Sequence, residues 1–241
     1  MVGIALAAIP TEQFFSEGSI AAVIVISLPA FYGLWKLYGK KALYTIAALG
    51  VFSLTIESIG IHTGFPYSHF SYTLPMGAQL FGTTPWTVVI AWSPLVIGAY
   101  VLAHKVFKQS WSRFLIYLGI LLASDTVLDP GAVARGLWAY DKGGVFYGVP
   151  FENFLGWIFS GTLAYIIIRI ILAKKKAIDS SVFESIAVSS LLLSLALWSG
   201  VNLAYEQYLP AVIGMVLLLL LGSVLRWNRC VATTTQNELQ E

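Results

Sequence analysis

Apolar and polar positions along this chain fall into long blocks rather than into the short alternations of a water-soluble domain. Seven predominantly apolar runs, roughly 17–37, 42–61, 85–103, 112–128, 151–172, 182–202 and 208–225, are separated by polar or basic connections. Each has about the 20 residues needed to carry a helix across ~30 Å of hydrocarbon. The pattern predicts an all-α, polytopic membrane bundle of about seven transmembrane helices. Residues 1–230 are expected to form a single transmembrane helical domain and 231–241 a polar, disordered cytoplasmic tail. The first ten residues carry no basic stretch ahead of their apolar run, so no cleavable signal peptide is expected.

Composition supports the same reading. The chain is 58% hydrophobic and only 11% charged, against about 25% charged in a typical soluble domain. One soluble core could not bury that much apolar surface. The bilayer is the natural solvent.

Charge then sets an expected orientation. Of the 14 Lys and Arg residues, only Arg135 and Lys142 fall at one set of helix ends; the other 12 fall at the opposite set. Positive charge accumulates on the cytoplasmic side, so the N-terminus is expected outside and the C-terminus in the cytoplasm, in the plasma membrane. The basic loops are a topology signal and call for no nucleic acid. Cys230 is the single cysteine, which excludes an intrachain disulfide and a cysteine-based zinc site.

With orientation assigned, the ionisable residues inside the runs gather toward the outer face. Glu57 lies about one turn from the outer end of the second helix. Asp125 and Asp129 share one face of the fourth, about 6 Å apart along the axis. Asp129 precedes Pro130, where a helix tends to stop, so it is also explicable as a helix terminus. Glu152 and Asn153 follow Pro150 at the start of the fifth helix, where a carboxylate also suits the helix dipole. His62 and His69 lie in the connection between helices two and three. Asn202 and Glu206 flank the turn between six and seven. Charges at membrane depth are costly and usually face a cavity or a partner.

Two outer connections are unusual. Residues 62–85 read HTGFPYSHFSYTLPMGAQLFGTTP, aromatic and free of Lys, Arg, Asp and Glu; such a segment is expected to rest on or fold back into the membrane interface. Residues 137–150 read LWAYDKGGVFYGVP, in which aromatics flank a Gly-Gly turn and predict a short β-hairpin. Together they are expected to roof a cavity between helices two, four and five, lined by Tyr72, Trp92, Trp138, Tyr140, Tyr147 and Trp157.

A greasy cavity holding several carboxyl groups suits proton chemistry on a long apolar ligand. A buried carboxylic acid can protonate an electron-rich alkene, and aromatic faces can stabilise the resulting tertiary carbocation. Water capture gives a tertiary alcohol, while capture by a neighbouring double bond gives a ring. The residues alone do not choose between these outcomes.

The strings GIHTGFPYSHFSYT, LFGTTPWTVVIAW and SDTVLDPGAVARGLWAYDKGGVFYGVPFENFLGW resemble the carotenoid biosynthesis hydratase family, of the carotenoid 1,2-hydratase and bisanhydrobacterioruberin hydratase type. The resemblance runs from about Glu57 to Trp157, with the flanking helices alike only in hydropathy. It implies cofactor-independent, metal-free addition of water across the terminal isopropylidene double bond of an acyclic carotenoid of forty or fifty carbons. Its expected partners are the carotenoid, the lipid bilayer and other membrane enzymes of carotenoid synthesis. It transfers no catalytic assignment. On physical grounds Asp125 or Glu57 is expected to act as the acid. Asp129, Glu152 or His62 would orient and deprotonate water, and Asn153 and Tyr72 would complete the hydrogen bonding.

Rival readings are a membrane lycopene-type cyclase, which begins with the same protonation, and a non-catalytic carotenoid-binding or transport protein. A prenyltransferase needs two acidic motifs for its metal ions, and only DTVLD is present. A retinal-binding pump needs a lysine in its last helix, and none follows Lys176.

Overall fold

The computed structural model describes residues 12–173, 177–178 and 180–238, with side-chain surroundings between 18 and 225. Its helices are α1 (Glu12–Tyr38), α2 (Lys40–Thr63), α3 (Val88–Ala91), α4 (Ser93–Val106), α5 (Ser110–Arg135), α6 (Phe151–Leu172), α7 (Ser181–Ala204) and α8 (Tyr208–Glu238). Four short strands accompany them: β1 (Phe70–Tyr72), β2 (Gln79–Leu80), β3 (Thr84–Pro85) and β4 (Trp138–Tyr140). Among the described residues, seven helical segments are long and apolar enough to cross a membrane, with α3 and α4 together forming the third. The protein is an integral membrane bundle. The first eleven residues and the side chains from 226 onward lie outside the described residues, and the backbone of α8 runs as helix to Glu238, through most of the tail expected to be disordered.

α4 is the centre of the bundle, buried at every position from Ser93 to Ala103. The break before it falls at Trp92, because Pro94 lacks an N–H and sits best in a first helical turn. α7, α5 and α1 pack against it, α2 and α6 touch it more lightly, and α8 packs on α7 and α5. A continuous apolar cluster runs through the whole bundle, with Leu49, Val96, Tyr117, Ile168 and Leu191 among its buried members. Polar side chains inside it bond locally: Thr45 to Lys41 O at 2.9 Å, and Ser124 to Ile120 O at 2.7 Å. That is the usual way for a hydroxyl to satisfy itself where water is absent.

α5 corrects one expectation. It does not stop before Pro130 but continues one and a half turns to Arg135. Pro130 removes the N–H that would bond to the carbonyl one turn back, and α7 supports the weakened stretch from outside. Asn202 Nδ2 donates to Val127 O at 2.7 Å. Gly131 lets Trp198 and Asn202 pack against the helix, since a Cβ there would lie 3.0 Å from the Trp198 ring. The helix ends instead at Gly136, whose φ of 72° is open to a residue without a side chain. Asp129 is therefore an interior helical residue, one turn from Asp125.

The second correction concerns the strand at 138–140. It does not fold into a hairpin within 137–150. β4 pairs antiparallel with β1 of the other connection, in the register Phe70 with Tyr140 and Tyr72 with Trp138. The remainder of its loop is closed by an isolated bridge, Phe146 with Val149, and by turn hydrogen bonds from Gly143 N to Tyr140 O and from Gly148 N to Gly144 O. The two aromatic connections are thus tied to each other as a two-stranded ribbon. β2 and β3 form a separate small hairpin.

Candidate active site

Tyr67 anchors the ribbon to the bundle. Its ring is wedged between Gly60 of α2 and Gly156 of α6: a Cβ on Gly60 would lie 3.0 Å from Tyr67 Cδ2, and one on Gly156 only 2.5 Å from Cδ1. Tyr67, Phe70 and Tyr140 are buried, and Phe70 packs against Tyr67, Tyr72 and Tyr140 with ring centroids 5.8–6.4 Å apart. The result is an aromatic roof over a cavity of about 100 Å³, room for several water molecules.

Two carboxylates face that cavity. Glu57 from α2 accepts a 2.6 Å hydrogen bond from the Tyr72 hydroxyl. Asp129 from α5 accepts at Oδ2 from the Tyr140 hydroxyl at 2.7 Å and from Asn153 Nδ2 at 2.6 Å. Each acid is therefore held by one strand of the roof, and strand pairing sets the two phenols two rows apart, so that both fall on one face of the ribbon. Burial, reinforced by Glu57, pushes the Tyr72 phenol well above its usual value; burial and Asp129 do the same for Tyr140. Both phenols stay neutral and act as donors.

Asp125 is fully buried but does not line the cavity. It stands behind Asn153, whose Nδ2 also reaches Asp125 Oδ2 at 3.0 Å. Among the described residues, its other oxygen, Oδ1, has no hydrogen-bond partner. Asn153 can bridge two acids from α6 because the chain enters that helix through Pro150, with Asn153 N bonding back to Pro150 O at 3.1 Å.

Indole rings supply the floor. Trp92 and Trp157 line the cavity with centroids 5.8 Å apart, and Trp138 closes one side. Such faces attract a cationic centre held above them.

The structure thus brings together Glu57, Asp129, Asn153, Tyr72, Tyr140, Trp92, Trp138 and Trp157 from the sequence-derived set, with Asp125 directly behind. It leaves three out. Glu152 points away from the cavity and is exposed. His62 is exposed, with only a 3.4 Å contact from Nε2 to Thr83 Oγ1. Tyr147 is 37% exposed and packs on Phe146. His62 lies at the end of α2, Glu152 at the start of α6 and Tyr147 in the connection before it; each side chain turns outward, something spacing along the chain does not reveal. Conversely, sequence reasoning missed Tyr67, Phe70, Met76 and Thr87 as lining residues. Tyr67 is notable because its hydroxyl is buried without a partner of hydrogen-bond geometry; the Ser160 hydroxyl beside it donates to Gly156 O at 2.8 Å. The GFPY string around Tyr67 was the available signal. Among the described residues, no group of three His, Cys, Asp or Glu side chains is placed to hold a metal ion.

The chain matches, over residues 16–221, the family described as carotenoid biosynthesis protein. It belongs to that family. The match covers almost the whole bundle, well beyond the central strings that carry the resemblance in sequence. A relative from Haloarcula japonica, bisanhydrobacterioruberin hydratase, is 34% identical over 212 residues, covering 85% of this chain and 69% of the relative. No solved structure matches the chain. Placed in this family, the roofed cavity with its two tyrosine-held carboxylates is the candidate active site.

Proposed function

We propose that this protein is an enzyme that hydrates the terminal isopropylidene double bond of an acyclic carotenoid. The observation that carries the reading is the pair of acids, Glu57 and Asp129, facing one aromatic-lined cavity, in a chain similar to a relative named as a carotenoid hydratase.

In the proposed reaction Glu57, as the carboxylic acid, gives its proton to the less substituted alkene carbon, and the π electrons form the new C–H bond. The tertiary carbocation left at the branched carbon lies among Trp92, Trp138 and Trp157, whose π faces stabilise it. Water adds to that carbon and its proton passes to Asp129. Asp129 suits the accepting role because its Oδ2 is already fixed by two donors, Tyr140 and Asn153; Glu57 takes a single bond, from Tyr72. Proton return from Asp129 to Glu57 restores the starting state, so alkene plus water gives tertiary alcohol with nothing left over. Asp125 acts through Asn153 as a positioning residue. The proposed orientation places the site at the outer membrane face, with the N-terminus outside and the basic helix ends in the cytoplasm.

The test is expression in a host that makes acyclic carotenoids, followed by chromatography and mass spectrometry of the pigments. A product heavier by one water supports hydration. A new pigment of unchanged mass would replace this reading with cyclisation. Pigment bound to the purified protein but chemically unchanged would replace it with a binding or transport role.

A further inference from the structure

The acid cavity has room for an end group, and a carotenoid is a rod many times longer. The rest of the molecule must leave by an apolar passage. The seam between α2 and α6 is closed by Tyr67 between Gly60 and Gly156. On the other side, a second cavity of about 170 Å³ lies between α1 and α7. Met76, Ala91, Leu128 and Trp138 line both cavities, so these four side chains are their common wall.

The second cavity suits an extended apolar chain. On α1, Gly18 and Ala22 lie one turn apart with little side chain to fill the space, and Ser194 and Trp198 face them from α7. Ser27 brings little free polarity, because its hydroxyl already bonds to Val23 O at 2.6 Å and lies 3.0 Å from Ile90 O. Among the described residues lining this groove none is acidic and Arg135 alone is charged, so most of its wall is an apolar seat with no carboxyl to carry proton chemistry.

We infer that the α1–α7 groove seats the polyene chain of the substrate molecule whose end group lies at Glu57 and Asp129, with Ala91 and Leu128 forming the throat between them. This rests on the carotenoid reading of the acid site, and it makes chain recognition a property of α1 and α7 rather than of the catalytic helices.

The experiment measures binding of an acyclic carotenoid to purified protein in nanodiscs through the change in its visible absorption. It compares wild type with Asp129→Asn, Ala22→Phe and Ser194→Phe. Asp129→Asn is expected to bind as wild type does, whereas filling the groove weakens binding about ten-fold or more. Groove variants that remain folded and bind like wild type overturn the inference, and would leave the groove to a lipid chain. As a gentler probe, Ala22→Cys in a Cys230→Ser background carries a small fluorophore, whose emission the bound polyene is expected to quench. Unchanged emission at saturating carotenoid overturns the inference independently of the bulky variants. The two readings are separable: wild type that binds pigment through the groove without hydrating it refutes the hydratase and keeps the groove.

Discussion

The side-chain amide of Asn153 donates to Asp129 Oδ2 at 2.6 Å. Through that bond the first turn of α6 fixes a carboxylate of α5, and the same nitrogen reaches Asp125 at 3.0 Å. One neutral side chain therefore holds two buried acids in place. Asn153→Leu, of similar size, is expected to destabilise the protein by about 1–3 kcal/mol, the range for stranding buried polar groups. It should also lower hydration sharply. Thermal melting in detergent alongside pigment analysis checks both; an unchanged melting temperature would show that the bridge contributes nothing.

Glu57 and Asp129 face the cavity while Asp125 stands behind Asn153. Glu57→Gln and Asp129→Asn keep shape and remove the titratable group. Each is expected to lower the hydration rate about 10²–10⁴-fold, the usual worth of a positioned acid or base, with folded yield retained. Asp125→Asn should cost less than either. If Asp125→Asn proved the most severe of the three in a time-resolved pigment assay, the assignment of roles would have to be reversed.

The two tyrosines separate stability from chemistry. Hydrogen bonds between side chains in membrane proteins average about 0.6 kcal/mol, so Tyr72→Phe and Tyr140→Phe should scarcely alter melting. Each nonetheless removes a donor aimed at a carboxylate of the proposed site, and hydration is expected to fall about ten-fold or more. A melting loss that fully accounts for the lost activity would make the tyrosines structural only.

The spans were legible because membrane thickness demands about 20 apolar residues whatever the tertiary context, and 151–172 is matched end for end by α6. The continuation of α5 past Pro130 was not legible, since its support comes from Asn202 on another helix. The pairing of Phe70–Tyr72 with Trp138–Tyr140 joins segments almost seventy residues apart, and a local turn signal at Gly143–Gly144 pointed to the wrong partner. Within the site, Glu57, Asp125 and Asp129 were legible because charge inside an apolar run is costly. Tyr67 was hidden, because an aromatic in a loop next to the membrane reads as an interfacial belt until its glycine clefts are seen.

Glu152 and His62 are the opposite case, suggested by the sequence and left outside the cavity by the geometry. Both are exposed and neither lines the cavity. Glu152→Gln and His62→Ala are expected to hydrate within about two-fold of wild type, as surface substitutions away from a site usually do. Loss of alcohol product in either variant, with protein level unchanged, would bring that residue back into the mechanism.

The roof offers a test that touches no reacting group. A Cβ on Gly156 would lie 2.5 Å from Tyr67 Cδ1 and 2.7 Å from Pro66 O. The second of these is backbone and cannot turn aside as a flexible side chain would. Gly156→Val should therefore lift the 66–72 segment off α6, at a cost of about 1–3 kcal/mol for overpacking. It should also draw Tyr72 away from Glu57 and depress hydration. Gly119→Val is the matched control, because a Cβ there meets nothing within 4 Å and the helix gains a branched residue facing open space. Limited proteolysis and pigment analysis should separate the two: Gly156→Val is cut faster in the 64–72 connection and forms less alcohol, while Gly119→Val matches wild type. Equal behaviour of the two variants would mean that the roof does not depend on its seat between Gly60 and Gly156.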